Sequence, residues 1–306
     1  MKSFNNFING KEVPARDGRT TPVIDPVTGE QYATAALSGP NDVDDAMKAA
    51  AVAAESWKNT TPAVRQKAIN DIADVMEKHM TELIEAEIEN TGKPRAITFS
   101  EEVPPMMDQI RFFAGAARML EGKSAGEYVP NFTSYIRREP IGVCAQVAPW
   151  NYPLMMGVWK FIPAIAAGNT VVLKPAEFTS LTALYFAELC QKARIPKGVI
   201  NIITGDGSTG ELITSHVDTK KIAFTGSTEI GKYCVLAGKV GIAGHLKIAD
   251  HTSIGGNTGI NKSIKEPGKS LFGFLAMDLR DFLRSYSVFK NLDDLQKRVQ
   301  QLEKKG

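Results

Sequence analysis

Residues 142–231 constrain this chain more than any other stretch, because two kinds of apolar segment alternate there at a spacing few folds accommodate. Val143–Ala148 is an apolar run short enough for a buried strand. Pro149-Trp150-Asn151-Tyr152-Pro153 breaks it. Leu154–Ala167 then reads as a helix, with Met155, Val158, Trp159 and Ile162 at helical spacing. Gly168-Asn169 ends the helix, and Thr170–Pro175 is the next strand. Strand, helix and strand within about thirty residues form a parallel crossover. The alternation continues with a helix over Thr179–Ala193, a strand over Val199–Thr204, a helix over Ser208–Ser215, a strand over Lys221–Thr225 and a helix opening at Ser227. Four such strands predict an α/β fold with a doubly wound parallel sheet, whose ligand would lie beyond the carboxyl ends of the strands.

The remaining chain is less uniform. Its 306 residues suit two domains or more. The net charge of +2 implies no nucleic-acid or acidic-lipid partner. The three cysteines, Cys144, Cys190 and Cys234, lie too far apart for a disulfide framework or a Cys-x-x-Cys metal site. No run approaches a membrane span, and the first residues lack the apolar core of a signal peptide, so a cytoplasmic location is expected. Phe7–Val13 predicts a hairpin with Asn9-Gly10 in a primed turn, and Asp25–Gly29 a second turn. A helix is expected over Asp42–Trp57. Thr61-Pro62 caps another that the apolar period carries to about Asn90. A further helix over about Phe99–Leu120 is interrupted by Pro104-Pro105.

After Tyr233 the period changes. Ile242, Ile248, Ile254 and Ile260 recur every six residues, and Val240, Leu246, Thr252, Thr258 and Ile264 keep the same step. That period fits neither a helix nor a simple strand. It predicts a short hexapeptide left-handed β-helix over 236–270. A helical tail is expected over 271–306, where Leu292, Leu295, Val299 and Leu302 are spaced either for a short coiled-coil seam or for packing on the chain itself.

Three motifs carry a resemblance. Ala148-Pro-Trp-Asn-Tyr-Pro153, Leu173-Lys-Pro-Ala-Glu177 and Phe224-Thr-Gly-Ser-Thr-Glu-Ile-Gly231 stand in the order found in the aldehyde dehydrogenase family. Over about Phe7–Tyr233 the chain resembles that family's Rossmann-like NAD-binding part, near the aminobutyraldehyde and betaine aldehyde types. The resemblance implies a cofactor-binding domain over 1–235, with the catalytic domain missing. It implies that Val147, Pro149, Trp150, Lys174, Glu177, Gly207, Gly210, Thr225, Gly226 and Ser227 line NAD. A carboxylate at Glu177 would accept from ribose hydroxyls and repel a phosphate, favouring NAD over NADP; taken alone, Lys174 and Glu177 are an ordinary surface pair. Gly205-x-Gly207-x-x-Gly210 matches a dinucleotide fingerprint but follows the third strand, so it reads as a turn that admits backbone to the adenine side. Thr225-Gly226-Ser227 suits a pyrophosphate at a helix start, or a plain serine cap. Asn151 is implied as the catalytic remnant, its amide stabilising an oxyanion, or as a turn former before Tyr-Pro.

The family's nucleophilic cysteine, its glutamate base and its second ribose-binding glutamate have no counterpart here. Cys144, Cys190 and Cys234 read as structural. Over about 234–306 the chain resembles the last coils of UDP-3-O-acylglucosamine N-acyltransferase, a lipid A pathway enzyme. His245 matches a histidine near that family's acyl-transfer site and reads here as a coil residue. In the first family a strand like 128–140 pairs with a partner subunit; it serves equally as an ordinary edge strand. Three functions stand side by side: an NAD-binding oxidoreductase portion without turnover, a transferase fragment, and an assembly chimera with no activity. The expected homo-oligomer is a dimer through 128–140 or a trimer through the tail.

Overall fold

The computed structural model describes residues 2–122, 125–225, 229–236, 241–242, 246–255, 258–260, 262–272, 277–278 and 284–286. The chain divides into two compact units, Met1–Thr225 and Gly226–Gly306.

The first unit opens with β1 (Lys2–Phe4), β2 (Asn6–Ile8), β3 (Lys11–Val13), β4 (Thr20–Ile24) and β5 (Gln31–Ala36). Asn9 and Gly10 both have positive φ, 52° and 72°, as a primed hairpin turn between β2 and β3 requires. Helices α1 (Pro40–Trp57), α2 (Pro62–Lys78) and α3 (Met80–Thr91) follow. The single helix expected from Thr61 to Asn90 is therefore two. His79, at φ −112° and ψ 18°, leaves helical geometry between them. A turn α4 (Arg95–Ile97) leads through a π-helical turn, Thr98–Glu102, into α5 (Val103–Ala116). Pro104-Pro105 falls in the first turn of α5, directly after the π-helical turn, so the helical run changes geometry at the point where the prolines were expected to interrupt it. A hairpin of β6 (Gly126–Val129) and β7 (Phe132–Ser134) stands over the stretch expected to hold an edge strand.

The alternating part comprises β8 (Val143–Val147), α6 (Pro153–Ala166), β9 (Thr170–Lys174), α7 (Leu181–Lys192), β10 (Ile200–Ile202), α8 (Gly207–Ser215) and β11 (Thr219–Phe224). The sheet order is β11-β8-β9-β10-β2-β3. The first four strands are mutually parallel, and the N-terminal hairpin extends them antiparallel. Alternate residues of the sheet serve opposite layers. Cys144, Val171, Leu173, Ile200 and Ile202 join Ile72, Met76, Ile110, Phe161, Ile162 and Phe186 from α2, α5, α6 and α7. Val143, Val172 and Ile203 join Val43, Met47, Ala50 and Ile213 from α1 and α8. Burying each such side chain contributes about 1.5–3 kcal/mol. The last carbonyls of α6 are met by Trp57, whose Nε1–H donates to Ile165 O at 3.1 Å, and by Arg65, whose Nε–H donates to Ala166 O at 2.9 Å. From β8 the chain steps through β9 to β10, then returns to the other side of β8 as β11. The order reverses between β8 and β11, the switch point at which sheets of this kind take their ligands.

The second unit is a ladder of short strands: β12 (Glu229–Ile230), β13 (Val235–Leu236), β14 (Gly241–Ile242), β15 (Lys247–Ile248), β16 (Ser253–Ile254), β17 (Gly259–Ile260), β18 (Ser270–Phe272) and β19 (Met277–Asp278). Glu229 pairs in parallel with Lys247, Val235 with Ser253 and Gly241 with Gly259, each three six-residue steps further on. Ile248, Ile254 and Ile260 are buried together, with Leu246, Ile264 and Leu271 against them. The helix expected from Ser227 is replaced by β12, because the six-residue period already includes Ile230 and Leu236. The helical tail expected from residue 271 instead begins with β18 and β19, paired antiparallel. Residues 284–286 are helical. His245 and the Leu292–Leu302 seam lie outside the described residues. Among the described residues no helix is long and apolar enough to cross a membrane.

Candidate functional site

Three loops leave the carboxyl ends of β8, β9 and β10, and the described residues singled out in the sequence sit on them, at the ends of β8, β9 and β11, or at the start of α8. Hydrogen bonds hold neighbouring strand ends level: Ala148 N–H donates to Lys174 O, and Thr225 N–H to Val147 O, both at 3.1 Å. Val147 is half-buried and Pro149 buried, so both belong to the floor. Trp150, 55% exposed, and Asn151 stand above it. The Asn151 amide makes no hydrogen bond to the described residues, which leaves both its donors and its acceptor free for a ligand.

Lys174 is buried, and its ammonium lies 3.9 Å from a Glu177 carboxylate oxygen. Burial pushes the Lys174 pKa down, while Glu177 and Asp206 oppose that shift. Asp206 caps α8, accepting from Ser208 N–H at 2.9 Å and Thr209 N–H at 3.3 Å. Gly207 and Gly210 open that helix. A Cβ at Gly207 would meet nothing within 4 Å, and one at Gly210 only Lys174 Cδ at 3.6 Å. Neither glycine is demanded by packing. Thr225 Oγ1 accepts from Lys160 Nζ at 2.6 Å. Gly226 and Ser227 lie outside the described residues.

The structure thus forms three groups. Lys174, Glu177, Gly207 and Gly210 gather at the ends of β9 and β10. Trp150 and Asn151 line a cavity of about 470 Å³ together with Ile24, Pro26, Asn90, Thr91, Lys93, Phe178 and Thr179. Val147, Pro149 and Thr225 lie at or just beyond the carboxyl ends of β8 and β11.

Two features escaped the sequence reading. Lys160 is the one charge in the apolar helix α6, half-buried, and burial lowers its pKa to about 8. A lone lysine in an apolar helix was the available signal. The second is an ionic cluster. Lys93 Nζ lies 2.6 Å from Glu102 and 3.4 Å from Glu87, and stands 4.5 Å from the centre of the Tyr152 ring. Both carboxylates are buried. Burial pushes the Glu87 carboxyl up, against the hydroxyl of Thr182 that donates to it at 2.7 Å and against Lys93. No sequence spacing joins residues 87, 93, 102 and 152.

Two of the three cysteines, Cys144 and Cys190, are buried in the first unit. Burial raises the Cys144 thiol above its ordinary pKa, with Lys221 opposing, and raises Cys190 well above it. Cys234, half-buried in the second unit, has its thiol 3.2 Å from Ala249 O.

Residues 13–242 match the Aldehyde dehydrogenase family. The human mitochondrial aldehyde dehydrogenase is 42% identical over 238 residues, covering 76% of this chain and 45% of that protein. A crystal structure of PnpE in complex with nicotinamide adenine dinucleotide superposes with a TM-score of 0.71 at 32% identity, covering 81% of this chain and 59% of that one. An NAD+ complex of the aldehyde dehydrogenase from Bacillus cereus superposes at 0.70 with 31% identity, covering 81% of this chain and 60% of that one. The chain spans about half the length of the curated relatives it matches.

Proposed function

The chain belongs to the aldehyde dehydrogenase family, and from that premise we propose that its sheet binds NAD across the carboxyl ends of β8–β11 without itself oxidising an aldehyde. NAD would supply a hydride acceptor. The residues present suit it. The open space over Gly207 admits a ligand where a side chain would stand. Glu177, half-exposed beside buried Lys174, can accept from ribose hydroxyls and opposes a 2′-phosphate. Thr225, at the end of β11, would face the pyrophosphate. Val147, Pro149 and Trp150 would form the wall toward the nicotinamide, and Asn151 would offer its amide to an oxyanion. What this chain lacks by the same reading is an activated thiolate and a base to accept a proton from water. The observation that carries the proposal is the cluster of Glu177, Gly207 and Lys174 at the strand ends, with open space over Gly207.

Fluorescence titration tests it. The chain should bind NAD more tightly than NADP, and Glu177→Ser should narrow the gap. Equal affinity of the unsubstituted chain for both cofactors would sink the reading.

A second reading concerns residues after Thr225. Strands that pair three hexads apart favour coils of a parallel β-helix, of the kind the acyltransferase resemblance implies. On this reading the ladder is an assembly element. Without the earlier coils it carries no acyl-transfer site.

A further inference from the structure

The loop that carries Asn151 is poorly held by its own sequence. Tyr152, which opens α6, provides no side-chain cap, and its φ of −136° and ψ of 62° are not helical. Trp150, Asn151 and Tyr152 are all exposed. Among the described residues, neither the Trp150 nor the Asn151 side chain hydrogen-bonds to the protein. The Tyr152 ring reaches from this turn to another element, standing against the Lys93 ammonium at 4.5 Å.

Lys93 does not wander. It lies just after α3, where Gly92 ends the helix at φ 69°, and it points between two acids from different elements. Glu102, 2.6 Å away, is turned inward by the π-helical turn Thr98–Glu102, which buries Thr98 and Glu102 together. Such turns recur at functional sites. Glu87, on α3, is fixed from its other oxygen by the Thr182 hydroxyl of α7. Three elements therefore converge to fix one ammonium. An ammonium over an aromatic face is attracted by the ring quadrupole, more strongly where water is excluded. Lys93 also lines the cavity that Trp150 and Asn151 line.

We propose that Lys93, carried by Glu102 and Glu87, is a positioning residue that sets the Asn151 amide through the Tyr152 ring. The proposal rests on the reading of Asn151 as the oxyanion donor for its meaning, but not for its test. A cluster that served only to fill the interior would have no need to meet an exposed ring. Here the ring belongs to the residue that directly follows the amide.

The test is a two-dimensional nitrogen–proton spectrum of the full chain. The Asn151 side-chain amide pair would be assigned by its loss in Asn151→Asp, and the Trp150 indole by its loss in Trp150→Phe. Lys93→Met combined with Glu102→Gln removes the ammonium without leaving both acids charged. This double variant should displace the Asn151 and Trp150 signals by more than a linewidth. The indole of Trp57, buried and bonded to Ile165 O, should stay in place. Tyr152→Leu should displace the same two signals the same way, whereas Lys93→Arg and Tyr152→Phe should leave them where they are. Unmoved Asn151 signals in either Tyr152→Leu or the double variant would overturn the proposal. So would an equal displacement at Trp57, which marks a general loosening. Tyr152→Leu alters an exposed side chain, so the test survives if the double variant fails to fold. The signals need neither cofactor nor aldehyde, so Asn151 could fail as an oxyanion donor while these displacements still occur.

Discussion

In the unit ending at Thr225, Val171, Val172 and Leu173 on a single strand feed helices on two opposite faces. In the ladder after Glu229, three two-residue strands, β15, β16 and β17, each give one isoleucine, Ile248, Ile254 or Ile260, to one interior. The sheet draws its core from residues far apart in sequence, such as Met47, Ile213 and Val143. The ladder draws its core from neighbours a few repeats away. A ladder of that kind would behave as a sum of nearest-neighbour terms and open one strand pair at a time. The sheet gains or loses its layers together. The binding site proposed for this chain accordingly lies in the first unit, at the carboxyl ends of its parallel strands.

The largest expected effect concerns turnover, and it separates the cysteines of the two regions. Cys144 and Cys190 are buried in the sheet unit with thiols pushed up. Only Cys234, in the ladder, is partly open. Covalent aldehyde oxidation needs a thiolate and a base acting as a unit, and losing both costs many orders of magnitude. Incubation with NAD and aminobutyraldehyde, betaine aldehyde or acetaldehyde should give no absorbance of reduced nicotinamide above a blank, and Cys→Ala changes should alter nothing. Robust turnover lost on Cys234→Ala would break the comparison, because the ladder would then hold chemistry.

One substitution made in both regions tests how they unfold. Ile202 in β10 and Ile254 in β16 are both buried, at 0% and 2% exposure. Truncating either to alanine removes about 2–5 kcal/mol of local packing. With Ile202→Ala, amide exchange should speed up together across β8, β9 and β10. With Ile254→Ala it should speed up from Lys247 to Ile260 only, the sheet amides keeping their protection. Uniform loss of protection from Ile254→Ala would show a single cooperative unit instead.

Much of this was legible in the sequence, for identifiable reasons. The strands of the alternating region were visible because Val143–Val147 and Thr170–Lys174 are short apolar runs between punctuating Gly, Pro and Asn residues. The hexad was visible from Ile242 onward. Its beginning at Ile230 was hidden, because residues 224–231 also read as the family motif Phe-Thr-Gly-Ser-Thr-Glu-Ile-Gly; one segment satisfied two patterns, and the six-residue period prevailed. The break at His79 was hidden because the apolar period of Ile72, Met76 and Leu83 passes through it. At the site, Lys174, Glu177 and Asn151 were marked by local motifs. Glu87, Lys93, Glu102 and Tyr152 could not be, since only tertiary packing joins them.

The smallest expected effect is a pH dependence confined to the sheet unit. Lys160 lies half-buried on α6, its ammonium donating to Thr225 Oγ1, and burial lowers its pKa from 10.5 to about 8. The sign follows from proton binding. Between about pH 8 and 10.5 the unfolded lysine holds a proton that the folded one has released, so the unfolded state binds more protons and stability rises with pH. Below about pH 8 both forms are charged, and the full cost of burying the ammonium is present. Above 10.5 both are neutral and the cost has gone. Urea midpoints for the loss of sheet amide protection, taken at intervals from pH 7 to 10, should climb through that window for the unsubstituted chain. They should climb less for Lys160→Met, which has no proton to release. The ladder amides between Lys247 and Ile260 should show no difference between the two proteins. An identical pH slope in the sheet for both would mean that Lys160 keeps its ordinary affinity for a proton, and that the hydroxyl of Thr225 offsets the burial.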